Sequence, residues 1–180
     1  MNKGFALSRG EIIVYLNADD YFEANAFQAV QEPFSRDADF VVGRVRIIPY
    51  NGGTPWVDDP KITLSEMLRW WTPANNYCCN PVGYFYRRTV QETIGPFNVE
   101  DHYTMDFEFL LEAARRYELT KINDVLGCFR ITPWTKTSKN FGNHETFRRF
   151  AKYSSYLEDS QRRTYLEELE NFLAHHQIGR

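Results

Sequence analysis

The 180-residue sequence predicts an α/β fold, a mixed sheet flanked by helices and followed by a C-terminal helical tail. Residues 12–16 form an apolar run that is too short for a helix and is typical of a strand buried on both faces. Apolar and charged side chains alternate along part of residues 39–48, as they do in a strand with one buried face. Residues 144–176 carry apolar side chains at helical spacing. We therefore expect one domain over residues 1–142 and a tail over 143–180, packed on the domain or extending from it.

The first elements follow in chain order. Residues 1–9 are predicted to end a helix before the first strand, and residues 24–31 to form a short helix that Pro33 stops. In the strand over 39–48 we expect Val41, Val45 and Ile47 on one face.

Later elements are predicted from caps and periodicity. Thr63 and Glu66 match a capping box, so a helix begins there. The remaining predictions are a loop over 49–55, a strand over 82–86, helices over 89–94 and from 105, and one or two strands over 121–131.

Composition excludes several classes of protein. The net charge of −3 argues against binding of nucleic acid through bulk charge. No apolar run approaches the roughly 18 residues of a membrane span, and no signal peptide begins at Met1. The three cysteines lack metal-site spacing, which favours reduced thiols and a cytoplasmic location.

Three polar residues follow the first strand directly, namely Asn17, Asp19 and Asp20. Ligands of open α/β sheets collect at the carboxyl ends of strands, where paired carboxylates can hold a divalent cation that bridges substrate phosphates. A second interpretation stays open: Asp20 caps the next helix, Glu23 completes a capping box, and Asp19 is a solvated turn residue.

Three segments together resemble the family 2 glycosyltransferases of the GT-A fold, which transfer a sugar from a nucleotide-sugar donor. Residues 1–22, MNKGFALSRGEIIVYLNADDYF, are similar to the family stretch that ends in a D-x-D-type metal motif. Residues 80–97, NPVGYFYRRTVQETIGPF, resemble the acceptor-side segment, and residues 105–112, MDFEFLLE, resemble the helix start that supplies the catalytic base. Order and spacing agree over roughly the first 135 residues.

The resemblance implies roles for individual residues. Asp19 would bind a divalent metal, Mn²⁺ or Mg²⁺, with Asp20 beside it, while Asn17 occupies the first acidic place of the motif. Asp106 would be the general base, and a carboxylate in the first turn of a helix suits that role because the helix dipole favours its ionised form. Arg130, in a segment similar to the family's Arg-x-His-Pro with Thr132 in place of His, would contact the donor.

The reaction that the resemblance implies is metal-dependent transfer to a hydroxyl acceptor, with inversion of the anomeric carbon. Four aromatic residues are candidates to contact the acceptor sugar, although packing in the core is the alternative for each: Trp70, Trp71, Tyr84 and Trp134.

The sequence departs from the family at its start. The strand end and the loop that bind the donor nucleoside in this family are missing before residue 1, so we expect a chain that retains the metal and acceptor half. The strand over 12–16 would then lie at a sheet edge and could pair with a second copy.

Three other functions compete with the enzyme. A non-catalytic fragment that binds or assembles is the closest alternative. A nucleotidyltransferase should show a Gly-rich basic phosphate loop, which we do not find. A phosphatase with an Asp nucleophile is disfavoured because Tyr21 and Phe22 follow the acidic pair.

Overall fold

A computed structural model of the chain describes residues 1–72, 80–101, 103–135 and 144–176. At residues 144 and 145 it describes the backbone alone. The helices of this part are α1 (Asn2–Leu7), α2 (Ala26–Ala29), α3 (Gln31–Ser35), α4 (Leu64–Met67), α5 (Arg88–Ile94), α6 (Met105–Arg116), α7 (His144–Ala151) and α8 (Asp159–His175). The strands are β1 (Ile12–Ile13), β2 (Tyr21–Phe22), β3 (Phe40–Ile48), β4 (Trp56–Val57), β5 (Tyr84–Arg87) and β6 (Leu119–Arg130). Short 3₁₀ turns span Pro81–Gly83 and Lys152–Tyr156.

The strands of the described residues form one mixed sheet in the order β1-β5-β3-β6-β2, with β4 beside β3. β3 and β6 are parallel, whereas β5 is antiparallel to both β1 and β3, and β2 is antiparallel to β6. β1, β3 and β6 therefore run in the same direction. β1 and β2 lie at opposite edges of the sheet, although only residues 14–20 separate them.

The first strand is shorter than the sequence predicts. Strand pairing covers Ile12–Ile13 rather than residues 12–16, and the Leu16 side chain is half exposed. Ile13 is buried, whereas Val14 and Tyr15 are half-buried, so burial does not extend along the run. Among the described strands β1 pairs with β5 alone. Its position at an edge of the sheet agrees with our expectation.

The central strand β3 contains an irregularity that the alternation of side chains does not reveal. The pairing with β6 shifts register between Val42 and Val45. As a result Val41 packs on the smaller core, whereas Val45 and Ile47 pack on the larger one, and the prediction that all three share a face is wrong. A Cβ at Gly43 would lie 2.5 Å from the Leu126 Cγ, so this close approach requires glycine.

The segment after the acidic residues also differs from the prediction. Two short helices, α2 and α3, replace the single helix over 24–31, and Pro33 lies inside α3 rather than ending a helix. Proline is tolerated there because the first-turn N–H groups of a helix have no intrahelical acceptor. Asp20 precedes β2, so it does not cap a helix, and the interpretation as a capping box with Glu23 is wrong.

Helices cover both faces of the sheet. The smaller core lies between the sheet and the α2–α3 region, and the larger core gathers residues from α4 to α8. The predicted capping box is confirmed, because the Glu66 N–H donates to Thr63 Oγ1 and the Glu66 carboxylate accepts from the Thr63 N–H.

The C-terminal helices pack on the sheet domain. Tyr165 and Leu169 of α8 are buried, and the Trp71 ring lies 5.7 Å from the Tyr165 ring. Arg69 forms an ion pair with Glu168 at 2.5 Å. The domain boundary at residue 142 stays a prediction. No helix within the described residues combines the length and the apolar character needed to cross a bilayer.

Candidate functional site

Polar side chains collect at the edge of the sheet where β3 and β6 end. The turn after β1 contains Asp19 and Asp20, Arg46 lies near the end of β3, and Arg130 is the last residue of β6. β3 and β6 are parallel, and Ile48 pairs with Arg130, so these two strands end side by side. β2 starts directly after Asp20 and pairs with the end of β6, which places the acidic turn at this edge, as expected for the ligand-binding edge of an open α/β sheet.

Asp20 is the buried hub of this cluster, with only 8% of its surface exposed. Its Oδ2 accepts hydrogen bonds from the Asn80 Nδ2 at 2.7 Å and from the Asn17 Nδ2 at 3.0 Å. Its Oδ1 accepts from the Arg130 backbone N–H at 3.1 Å. Asp20 therefore connects its own turn to two distant parts of the chain, at Asn80 and Arg130, through hydrogen bonds that the charge of the carboxylate strengthens.

Asn80 is a residue of the site that the sequence reasoning missed. It is 2% exposed, donates to Asp20, and accepts the Val82 N–H through Oδ1 at 2.9 Å. It therefore connects the acidic turn to the 3₁₀ turn before β5. The available signal was Asn followed by Pro81, because Asn commonly starts such a turn by accepting a backbone N–H.

Asp19 differs from its neighbour because it is exposed. Its backbone carbonyl accepts from the Arg130 Nε at 2.7 Å, which fixes the guanidinium beside the acidic turn. The structure thus brings together four of the predicted site residues, Asn17, Asp19, Asp20 and Arg130.

A second charged group lies at the same edge and was also missed. The Arg46 Nε donates to the Glu23 Oε1 at 3.0 Å, and this hydrogen bond lowers the pKa of Glu23. The Cys128 thiol donates to the same oxygen at 3.4 Å, and burial raises the pKa of the thiol. These partners lie far apart in sequence, so no local pattern indicates them.

Asp106 is half-buried in the first turn of α6, as predicted. Its Oδ1 accepts the Phe107 N–H at 2.9 Å, which orients the carboxylate at the start of the helix. We expect the Asp106 carboxylate to face Asp19 across a shared cleft, and this arrangement stays a prediction.

The four aromatic candidates occupy different environments. Trp70 stacks on Phe147 with ring centroids 4.8 Å apart, and Trp71 packs on α8, so both are half-buried among aromatic side chains. Tyr84 has no exposed surface and stacks on Phe40 in the core. Trp134 is 80% exposed and presents its ring to solvent.

The acidic turn presents one exposed carboxylate, that of Asp19. Among the residues that the structure describes, no group of three or more His, Cys, Asp and Glu side chains is arranged to hold a metal ion. Mg²⁺ bound to substrate phosphates needs only one or two protein carboxylates. Asp19 is available for that role, whereas three N–H groups already occupy Asp20.

Comparison with known proteins supports the resemblance. The sequence profile described as "Glycosyl transferase family 2" matches residues 1–95, more than half of the chain. No curated protein matches the chain in sequence.

Two crystal structures of TarS residues 1–349 from S. aureus share the fold. The complex with UDP-GlcNAc matches with a TM-score of 0.62 and 15% identity, over 96% of this chain and 51% of that chain. The other TarS structure matches with a TM-score of 0.61 and 18% identity, over 96% and 49%. The chain therefore spans about half the length of these relatives, with a partial GT-A-like fold.

Proposed function

Because this chain belongs to the family 2 glycosyltransferases, we propose that it transfers a sugar from a nucleotide-diphospho-sugar donor to a hydroxyl group of a glycan or another acceptor. The observation that carries the proposal is the acidic turn at the carboxyl edge of the sheet, where the buried Asp20 fixes the exposed Asp19. The UDP-GlcNAc bound by TarS makes UDP-sugars the first donors to test.

The acidic turn would bind the donor diphosphate. Asp19 would hold Mn²⁺ or Mg²⁺, and such an ion, when bound, supplies positive charge to the departing diphosphate. Asp20 keeps the turn in place through its three hydrogen bonds, although a direct contact of Asp20 with the metal remains part of the prediction. Asn17 and Arg130, which flank Asp19, would contact the donor.

Asp106 would act as general base. Its carboxylate takes the proton of the acceptor hydroxyl while that oxygen attacks the anomeric carbon, and the diphosphate leaves from the opposite face, so the configuration inverts. The acceptor sugar would pack on exposed aromatic surface. Trp134 fits this role best by exposure, the half-buried Trp70 and Trp71 come next, and the fully buried Tyr84 fits it least.

Titration calorimetry with UDP-GlcNAc and a GDP-sugar, with and without Mn²⁺, tests donor binding. We expect heat only with Mn²⁺, and Asp19→Asn should weaken this binding at least about tenfold because the variant loses the exposed carboxylate. Asp106→Asn should bind the donor normally but release UDP at least about 100-fold more slowly, because a general base is missing. Asp159→Asn, which neutralises an exposed carboxylate on α8, is the matched control.

The absence of any nucleotide binding would overturn the proposal. Binding without UDP release in the presence of a broad set of hydroxyl acceptors would favour a second function, a non-catalytic binding or assembly module. The chain spans about half of the TarS structures, and the calorimetry decides whether this part of the fold binds a donor. A cytoplasmic location stays part of the proposal.

A further inference from the structure

The loop before α6 is held by the half-buried carboxylate of Asp101. The Asp101 Oδ1 accepts the backbone N–H groups of Tyr103 and Thr104, both at 3.1 Å, and the Oδ2 accepts the Thr104 hydroxyl at 2.6 Å. Thr104 is the N-cap residue of α6 and is 3% exposed. Asp101 therefore sets where the helix that carries Asp106 begins.

An arginine from the C-terminal helices contacts this loop. The Arg149 Nη2 donates to the Asp101 Oδ2 at 2.6 Å and also to the Thr104 hydroxyl. The Arg149 guanidinium also lies 4.7 Å from the centre of the Phe150 ring, which restricts its position. Although burial raises the pKa of Asp101, hydrogen bonds from Thr104 and Tyr103 together with the charge of Arg149 lower it overall, so the contact persists at neutral pH.

Two further contacts reach α6 on the other side of Asp106. The Lys152 Nζ donates to the Glu108 carboxylate at 2.9 Å. The Phe107 ring packs edge-on against the Phe150 ring, with centroids 4.8 Å apart. Residues after position 144 thus contact the chain both before and after Asp106, and Asp106 itself also lies outside the 1–95 match to the family.

We infer that Arg149 is a positioning residue for the transfer reaction: with Asp101 and Thr104 it holds the start of α6 so that the Asp106 carboxylate keeps the orientation that proton transfer requires. This inference rests on the proposed role of Asp106. Arg149 itself does not touch the reacting atoms. Because a misplacement of about 1 Å can slow catalysis about 100-fold, a clamp at the helix start can control the rate without contacting the substrate.

The test compares four single variants, and the double variant that combines Thr104→Val with Arg149→Met, with the wild type. Arg149→Met removes both hydrogen bonds and keeps the side-chain length, Arg149→Lys restores the charge, and Thr104→Val removes the shared hydroxyl. Arg148→Met makes the same charge change at the exposed neighbouring position and is the control. UDP release from UDP-GlcNAc and amide hydrogen exchange over residues 103–107 are measured for each.

We expect Arg149→Met to lower turnover about 10- to 100-fold while the KM for UDP-GlcNAc changes less than about twofold, because proton transfer and not donor binding is disturbed. Arg149→Lys should recover part of the rate, since lysine keeps the charge but lacks the guanidinium geometry. Thr104→Val combined with Arg149→Met should be no slower than the slower single variant, because both changes break one network. Amide exchange over 103–107 should be faster in Arg149→Met and unchanged in Arg148→Met.

Two results separate this inference from the proposed function. If the wild type releases UDP, Asp106→Asn does not, and Arg149→Met keeps the wild-type rate and exchange, the inference is wrong and the function stands. If the wild type never releases UDP, the proposed function fails, and exchange then tests the clamp alone: wild-type exchange in Arg149→Met would overturn the clamp as well.

Discussion

At the scale of single residues, two adjacent carboxylates have different environments. Asp19 is exposed, whereas Asp20 is buried and accepts three hydrogen bonds. The acidic pair was visible in the sequence, but the exposure of one carboxylate and the burial of the other were not. The partners of Asp20 lie 60 and 110 residues away, at Asn80 and Arg130, and only the folded chain brings them together.

Asp20→Asn should destabilise the protein by about 1–3 kcal/mol. The three N–H donors lose their charged acceptor, and the new amide NH₂ group faces some of them with a donor of its own. Urea unfolding of the variant and the wild type measures the difference. Asp19→Asn, an exposed change one position earlier, should stay within about 0.5 kcal/mol of the wild type. Equal loss in the two variants would contradict the hub role of Asp20.

At the scale of elements, the presence of helices and strands was predicted better than their register and pairing. The capping box at Thr63 and the long strand β3 were correct because both depend on local sequence. The register shift in β3 was missed because it is set by contact with β6, and the short strand β4 was missed because only pairing with β3 defines it.

Gly43→Ala tests the close approach of β3 to β6. A Cβ would lie 2.5 Å from the Leu126 Cγ and 2.9 Å from the Asp124 carbonyl oxygen, so the variant should lose about 1–3 kcal/mol of stability through overpacking. Gly4→Ala is the matched control, because a Cβ on this α1 glycine meets nothing within 4 Å and favours the helix. Thermal unfolding compares the two, and a neutral Gly43→Ala would show that the strands can separate at no cost.

At the scale of the whole molecule, the resemblance identified the fold class correctly, and the structure added which residues the tail contacts. The sequence indicated an amphipathic tail with an apolar stripe, and Leu169 on that stripe is buried. It could not indicate that Arg149 contacts Asp101, because single charges on a helix face give no sign of their partners. The Glu23–Arg46 ion pair could not be predicted from the sequence for the same reason.

Self-association through β1 is the remaining prediction at this scale. Among the described strands β1 has one neighbour, so its other side would offer backbone groups to a second copy, but the strand has only two residues. Short edge strands pair poorly, so we expect weak association that sedimentation velocity detects only at high concentration. Ile12→Lys should abolish it, and a wild type that stays monomeric at every concentration would contradict it.

The connection between β1 and β2 has one further consequence. Four strand spacings of about 4.8 Å separate these edges across the sheet. The two ends are also offset along the strands, because Ile13 lies level with Phe40 and Tyr21 with Arg46. The linker must therefore reach at least about 19 Å. Five of the eight Cα steps from Ile13 to Tyr21 span at most about 18 Å, and the turn closed by the Asp20 N–H and the Asn17 carbonyl adds no more than about 7 Å. The linker is therefore close to its full extension, with at most a few ångströms of length to spare. A deletion of two residues would leave it too short, so natural variation here should change side chains and leave the number of residues constant.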